Sequence, residues 1–418
     1  MPLLIRPRIH PDELSMGYLL RVAEANWLTI SQISVSTDIR AGAPTLGICG
    51  MGPVCHQRGM SLSDRSGVPN RFWNVQRARY CPHCLSESAH WRGVWGLSLY
   101  TACPRHGVAL LDHCSCGAAI TWRRAALVHC ACGADLREQS STAANPSTLK
   151  VASLLENASN QLECGGESQG ENPLVAELQR IWLLGAHACG TGSKPKKLAG
   201  LQNLERANRV TSTVGDVLLQ WPSGFFDLLN TIRSRRPSSV ANRLVGTFGS
   251  LYRDLFSPST WSAFAELRAA FEQYVQTHWD GQLALRNRRV SAVTVAGHEW
   301  VSALTAARDL GWRTPQVRRA IEARLLVGHI RRLSSGRSVS VVTRSSLTDL
   351  KRERAGWIDV KTACARFHVG KKRVLALVKS NHLRPIRGPS VDGSSVWQFR
   401  AEDVRRALLA GKSDQGKH

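Results

Sequence analysis

The sequence lacks the features that place a chain in or across a membrane. None of its apolar runs approaches the roughly 20 residues that a transmembrane helix needs. Residues 1–7 also lack the charged segment, apolar stretch and small-residue cleavage site of an export signal. We therefore expect a cytoplasmic protein rather than a membrane or secreted one.

Motifs of metal-dependent hydrolases are absent as well. The chain contains no His-Glu-x-x-His helix, and no acidic residue stands beside its cysteines at a spacing typical of a protease or a deaminase. We therefore expect a non-enzymatic protein. A zinc-dependent nuclease or deaminase is the less favoured alternative.

Acidic residues are scarce relative to basic ones. The chain contains 31 Asp and Glu against 55 Lys and Arg, which gives a net charge of +24 and a pI near 10.3. The excess is uneven, since residues 301–418 hold 25 basic and 9 acidic side chains, a net charge of +16. A strongly basic carboxy-terminal part favours a polyanionic partner, and a merely solubilising surface is the alternative.

Cysteine is abundant, with twelve residues. Because cytoplasmic thiols stay reduced, these residues are better candidates for metal ligands than for disulfides. The strongest pattern is Cys81-Pro82-His83-Cys84 followed by Cys103-Pro104-Arg105-His106. Two pairs of ligands, each separated by two residues, are typical of a tetrahedral zinc ribbon. The first predicted zinc site therefore consists of Cys81, Cys84, Cys103 and His106.

A second set of cysteines follows directly. Its ligands are Cys114, Cys116, Cys130 and Cys132, and a glycine after each pair permits a tight turn. Each set supplies four ligands, which predicts two structural zinc ions rather than a catalytic ion with an open position. The one-residue gaps leave His113 or His129 as substitute ligands. Cys49, Cys55 and His56 form a weaker third candidate that lacks a fourth ligand.

The regions around the cysteines favour helices. Asp12 is a plausible cap for a stretch in which Leu14, Tyr18 and Val22 recur at helical spacing. Residues 138–175 are polar and indicate a linker with a short helix near 149–155. Residues 175–285 alternate helical patterns with breaks that contain Gly and Pro.

The last third contains an internal repeat at an offset of 57 residues. Identical pairs include Trp300/Trp357, Thr305/Thr362, Ala306/Ala363, Val317/Val374, Leu326/Leu383, Gly336/Gly393, Ser338/Ser395 and Val339/Val396. Each copy reads as a helix, a short turn, a second helix and a β-like stretch. This order is typical of a winged helix-turn-helix module.

The second helix of each copy carries the predicted nucleic-acid contacts. These are Gln316, Arg318, Arg319 and Arg324 in the first copy, and Lys371, Lys372, Arg373 and Lys379 in the second. Such side chains contact phosphates and base edges when a helix lies in the major groove. Because modules of this kind also bind proteins or RNA, those partners stay open.

The amino-terminal third carries a family signature. Its parts are Asp12 to Ser15, Tyr18 to Ala23, Tyr80 to Leu85, His90-Trp91-Arg92, Trp95, Cys103 to Gly107 and Leu110-Leu111. With these residues the segment 3–137 resembles the TniQ/TnsD family of transposon target-selection proteins. The second cysteine set departs from the commoner two-residue knuckle of that family.

The resemblance implies a target-selection adaptor of a Tn7-like transposon in the nucleoid of a bacterial cytoplasm. Such an adaptor recognises target DNA directly or docks on a CRISPR effector complex with its guide RNA. It then recruits an AAA+ ATPase regulator and the transposase. CRISPR-associated members resemble head-to-tail homodimers. The alternative function is a sequence-specific, zinc-containing transcriptional regulator with tandem winged helices.

The predicted fold class is mainly α and multidomain. The predicted boundaries are 1–70 for an N-terminal helical domain of the TniQ type, 71–137 for a double zinc-ribbon region, and 138–290 for a linker and helical middle domain. Residues 298–350 and 355–410 are the two predicted helix-turn-helix repeats.

Overall fold

The structure is a computed structural model that describes residues 4–35, 54–56, 59–61, 67–74, 76–164, 172–190, 195, 197–235, 243–258, 262–283, 287–333 and 336–413. It is mainly helical, which confirms that part of the predicted fold class. The chain divides into two compact units, Met1–Arg235 with Phe248–Phe271, and Arg236–Thr247 with Glu272–His418. In the described part of the chain, no helix combines the length and the apolar character needed to cross a membrane.

Up to His278, the residues that the structure describes form nine helices and four strands. The helices are α1 (Ser15–Ala25), α2 (Ile30–Val35), α3 (Pro82–Glu87), α4 (Pro146–Cys164), α5 (Pro173–Ala188), α6 (Leu204–Leu219), α7 (Ser223–Ser234), α8 (Leu244–Leu255) and α9 (Ala265–His278). The strands are β1 (Val54–His56), β2 (Gly59–Ser61), β3 (Ala102–Cys103) and β4 (Val108–Ala109), which pair as two antiparallel hairpins. Short 3₁₀ helices cover Asn70–Phe72, Gly93–Gly96 and Leu136–Glu138.

Helix α1 packs directly against the segment around Trp91. The backbone N–H of Leu14 donates to the Trp91 carbonyl at 2.7 Å, and a Cβ on Gly17 would lie only 2.4 Å from the Cβ of Trp91. The predicted helix cap at Asp12 is wrong, because the N-cap residue is Leu14. Asp12 instead accepts a hydrogen bond from His90 at 2.9 Å, so it joins the amino terminus to the cysteine region.

Helix α4 is much longer than the short helix expected near residues 149–155. It spans 19 residues and buries Val151, Ala152 and Leu155 completely. Its approach to α6 is close, since a Cβ on Gly215 would lie 2.0 Å from the Ser147 carbonyl oxygen. Asn157, Asn160 and Gln161 are exposed, whereas Ser147 and Ser159 are buried, so the polar composition of the helix understates how much of it lies in the core.

A buried arginine joins the cysteine region to the helices that follow it. The Arg79 guanidinium is fully buried and donates to the carbonyl oxygens of Ser98 at 2.9 Å and Leu201 at 2.6 Å. Burial lowers the pKa of Arg79 to about 10. Residues on both sides of position 137 therefore share one core in the first unit.

After His278, the described residues form seven helices and five strands. The helices are α10 (Ala292–Gly297), α11 (Ala303–Leu310), α12 (Thr314–Glu322), α13 (Arg344–Arg354), α14 (Val360–Phe367), α15 (Lys371–Lys379) and α16 (Ala401–Ser413). The strands are β5 (Trp300–Ser302), β6 (Gly328–Arg332), β7 (Ser338–Thr343), β8 (Trp357–Asp359) and β9 (Gln398–Arg400). An antiparallel sheet has the order β5-β7-β6, and β8 pairs with β9.

The backbone repeats at the offset seen in the sequence. Gly311 and His368 both have left-handed φ angles, 65° and 52°, and so do Arg324 and Asn381, 58° and 59°. A third helix, α13 or α16, follows the β region in each copy, and a strand, β5 or β8, precedes the first helix. Those strands and third helices are absent from the motif read from the sequence.

The second copy differs from the first in its β region. Residues 385–389 take the place of β6 at the offset of 57. Within the continuous stretch 336–413, they make a single bridge, between Arg387 and Gln398. Pro385 and Pro389 have no N–H to donate to a ladder. The β-like stretch predicted for the second copy is therefore reduced to that bridge and β9.

Candidate metal centres and basic helices

The four residues of the first predicted zinc site meet in one cluster. Their ligand atoms all lie within 4.8 Å of one another. The sulfurs of Cys84 and Cys103 are 3.6 Å apart, and Nδ1 of His106 lies 3.3 Å from Cys84 Sγ and 3.5 Å from Cys103 Sγ. Tetrahedral zinc has edges of roughly 3.8 Å between sulfurs and roughly 3.5 Å between sulfur and nitrogen. The separations therefore fit a four-coordinate zinc ion.

Local structure explains how the four ligands meet. Cys81 is the N-cap of α3, whose first residue is Pro82, so Cys84 lies on the first helical turn beside it. Cys103 ends β3, and the tight turn to β4 contains His106 and Gly107, whose φ is +66°. That left-handed angle favours glycine. A helix start and a hairpin turn thus present one ligand pair each.

The three thiols of the first cluster share hydrogen bonds. Contact with Cys103 raises the pKa of Cys81 to about 11 and raises that of Cys84 further. Hydrogen bonds from Cys81 and Cys84 lower the pKa of Cys103. A divalent cation would stabilise all three thiolates, and three thiolates with one imidazole form a donor set typical of zinc.

Glu87 supports the histidine ligand and was not found from the sequence. Its Oε1 lies 2.9 Å from Nε2 of His106, and its Oε2 lies 3.4 Å from Arg105 Nη2. The hydrogen bond from His106 lowers the pKa of the Glu87 carboxyl. With Nε2–H donated to Glu87, Nδ1 presents its lone pair to the cluster, as metal-bound histidines do. The signal available in the sequence was a carboxylate three residues after Cys84.

The four cysteines of the second predicted site also meet. Cys114 and Cys132 have sulfurs 3.8 Å apart, and Cys116 and Cys130 have sulfurs 3.9 Å apart. All four sulfurs lie within 4.8 Å of one another. These separations match the edges of a zinc tetrahedron. The Cys-x-Cys spacing therefore brings the four sulfurs together without a histidine.

The second site is built from two similar turns. Gly117 and Gly133 have φ angles of 85° and 90°, and each donates its N–H to the carbonyl of the first cysteine of its turn, at 2.8 and 2.9 Å. The turns share the sequence His-Cys-x-Cys-Gly-Ala at an offset of 16 residues, a signal that the sequence analysis missed. The first cysteine of each turn is buried and the second is exposed, so this site opens to solvent on one side.

The other candidate ligands have different partners. His113 pairs with Asp112, His90 with Asp12 and Ser88, and His83 with Ser141. Among the residues that the structure describes, neither these histidines nor His129 joins a cluster. Cys49 and the side chains of Cys55 and His56 lie outside the described residues.

Two of the residues on helix α12 that were predicted to contact nucleic acid form hydrogen bonds within the protein. The Gln316 side-chain oxygen accepts a hydrogen bond from Arg313 N at 2.9 Å. Arg318 is half-buried and donates to the Ser338 carbonyl of β7 at 3.0 Å. Arg319 is exposed. The placement of Arg324 on the second helix is wrong, because α12 ends at Glu322.

Helix α15 presents its predicted residues to solvent. Lys371, Lys372, Arg373 and Lys379 are all exposed. In the described part of the chain, they form no ion pair or side-chain hydrogen bond. Val374 is fully buried, so Lys372 and Lys379, which are seven residues apart, lie on the side of the helix away from the core.

Comparison with known proteins identifies the first centre with a family domain. The sequence profile of the TniQ family matches residues 56–110, a range that contains all four ligands of the first cluster. No curated protein matches the chain. The TniQ family is a family of non-catalytic adaptors whose function is transposon target selection, in contact with the transposition machinery and DNA. The match identifies a TniQ domain in this chain, and the first candidate metal centre lies inside it.

Proposed function

We propose that this chain is the target-selection adaptor of a Tn7-like transposon. The observation that carries the proposal is the TniQ match over the first ligand cluster. The chain would recognise a target site, either directly on DNA or by docking on a CRISPR effector complex with its guide RNA. It would then recruit an AAA+ ATPase regulator and the transposase at the bacterial nucleoid.

The two clusters each hold one structural zinc ion in this proposal. Thiolate and imidazole ligands suit zinc better than magnesium or calcium, and each cluster supplies four ligands rather than three. A bound ion would stabilise the ribbon turns, while Glu87 would orient the His106 ring. The ions shape the protein and take no part in a reaction.

The two C-terminal copies act as winged helix-turn-helix modules that bind DNA. Their repeated helices, turns and strands support this assignment, as do the four exposed basic residues of α15. Direct reading of target DNA is the branch that these residues favour. On the CRISPR-guided branch, the same residues would contact guide RNA or a neighbouring protomer of a homodimer.

Catalysis is not part of the proposed function. The pentapeptide Gly-Glu-Ser-Gln-Gly at 166–170 matches the Gly-x-Ser-x-Gly motif of the nucleophile elbow in hydrolases. An elbow, however, follows a β-strand, whereas this segment follows helix α4. The family's adaptor character supports the same conclusion.

The direct test is co-purification with the AAA+ ATPase encoded in the same element. We expect a complex that forms with ATP and duplex DNA. Addition of a CRISPR effector complex with its guide RNA separates the two branches, because only the guided branch requires it. No association with the ATPase in any nucleotide or DNA state would contradict the proposal.

A transcriptional regulator is the second candidate, favoured by the tandem basic modules alone. It predicts tight and sequence-specific binding at the promoter of the chain's own gene, with no transposition genes beside it. Inspection of the neighbouring genes and a footprint on that promoter distinguish this candidate from the adaptor.

A further inference from the structure

We propose that the two C-terminal modules have different roles, and that only the second places its helix, α15, in the major groove of DNA. The first module would support and position the second module without entering the groove itself. The proposal rests on the proposed DNA binding and specifies which helix performs it. It follows from contacts that a loop of the second module, residues 386–393, makes with helix α12.

The contact is centred on Trp312, the residue that leads into α12. The Arg387 guanidinium lies 4.1 Å from the centre of the Trp312 ring, a distance typical of a cation–π contact. Its Nε is 2.7 Å from Asp392 Oδ2, and both side chains are more than nine-tenths buried. Ile386 is buried in the same hydrophobic core as Trp312. The loop is therefore part of the first module's core.

The same loop lies along one side of α12. Gln316, Arg319, Ala320 and Ala323 face the loop across a crevice of about 20 Å³, which has room for about one water molecule. The Arg319 guanidinium lies close to the α-carbon of Gly393. A Cβ added to Gly393 would be 2.7 Å from Arg319 Nη1. Val317 faces the core, and the Arg318 guanidinium donates a hydrogen bond to the Ser338 carbonyl of β7.

A helix with a loop packed along one side does not fit the major groove. The groove is about 12 Å wide, close to the diameter of one helix with its side chains, about 10–12 Å. A loop packed along α12 would therefore meet the DNA backbone before the helix reached the base edges. The corresponding side of α15 carries Arg373, Ala376 and Ser380, which are all exposed.

The repeat itself shows the same division of roles. At the offset of 57, Lys372 corresponds to Pro315 and Lys379 corresponds to Glu322. At these two positions the outward face of α12 is thus neutral or acidic where that of α15 is basic, and the exposed Arg319 of α12 lies beside Gly393. Trp312 likewise corresponds to Val369, so the aromatic ring that contacts Arg387 is present in the first module only. Charge complementarity with phosphate favours α15 as the helix that enters the groove.

The test is fluorescence anisotropy of the full chain with a labelled 30-base-pair duplex of mixed sequence at several KCl concentrations. The double variant Lys372→Ala/Lys379→Ala should bind at least about tenfold more weakly at 100 mM salt. The slope of log K against log salt should fall by about 1.8, since each phosphate contact contributes about 0.9. Arg319→Ala, which removes a charge from α12, is the matched control and should change neither quantity.

Each result decides between the possibilities. Equal losses in Arg319→Ala and in the double variant would show that both helices contact DNA and would overturn the inference. Binding that none of the variants weakens would place the DNA contact elsewhere and overturn it while the proposed adaptor function stands. No binding by the unmodified chain at any salt concentration would overturn both this inference and direct DNA reading. Circular dichroism of each variant checks that the exposed substitutions leave the fold intact.

Discussion

Replacement of a ligand in the first centre should unfold the TniQ region. Cys81 is fully buried, and the neighbouring Tyr80 ring packs 5.7 Å from that of Trp91 in the core. Structural zinc contributes roughly 10–16 kcal/mol of binding free energy in small zinc domains, whereas a whole domain is stable by about 5–15 kcal/mol. Loss of this ion in Cys81→Ser therefore removes an amount comparable with the entire stability.

The second centre should respond less strongly. Cys116 is exposed and lies on the open side of its cluster, so Cys116→Ser should release one ion and loosen only the local turns. Cys189→Ser is the matched control, because Cys189 lies outside both clusters. It makes the same chemical change without removing a ligand.

Zinc content by elemental analysis and thermal unfolding by circular dichroism measure these effects. We expect two zinc ions per chain for the unmodified protein and for Cys189→Ser, and about one for Cys116→Ser. Cys81→Ser should lose its zinc and its cooperative transition, and limited proteolysis should cut it within the ribbon region. A Cys81→Ser protein that keeps two ions and the original melting temperature would refute the reasoning.

Three further predictions concern single side chains. Glu87→Gln should weaken zinc binding at the first centre by about 10–100-fold in chelator competition, because His106 loses its carboxylate partner; unchanged affinity would remove the support role of Glu87. Asp392→Ala should lower the free energy of unfolding by about 3–5 kcal/mol in urea, since it leaves the Arg387 charge buried and unpaired. Asp349→Ala is its control, because the exposed ion pair with Arg352 is worth at most about 1 kcal/mol, and equal effects would contradict the assignment. Burial lowers the pKa of His187 to about 4. The unfolded chain, with an ordinary pKa near 6.5, then binds a proton first as pH falls, and stability is lost between about pH 6.5 and 4. His187→Gln should lack about 3 kcal/mol of that loss in urea unfolding, and an identical pH dependence in both proteins would exclude His187 as its source.

Much of the metal chemistry can be read from the sequence. Within each ligand pair, such as Cys81 and Cys84 or Cys114 and Cys116, a single turn sets the distance between the two side chains. Residue type and short spacing are therefore enough to predict the pair. Glu87 was harder to find, since its role depends on the orientation of a histidine 19 residues away. The duplicated turns of the second site were visible as a short repeat in the sequence.

The helical regions were less predictable. Helix α4 was underestimated because its burial depends on α5 and α6, not on its own composition. Asp12 was predicted to be a helix cap because it precedes an amphipathic segment. Its carboxylate instead accepts a hydrogen bond from His90, 78 residues away. In both cases a partner far along the chain overrode the local signal.

The sequence by itself determined the two sets of candidate ligands, the repeat and the resemblance to the TniQ family, because each depends on residue types at short or fixed spacings. The tertiary structure decided which basic residues face solvent. Arg318 and Lys372 look alike in the sequence as basic residues on second helices, yet one donates to a β7 carbonyl and the other is exposed. The difference arises because the fold brings the Ser338 carbonyl of β7 within hydrogen-bond distance of Arg318 and leaves Lys372 exposed.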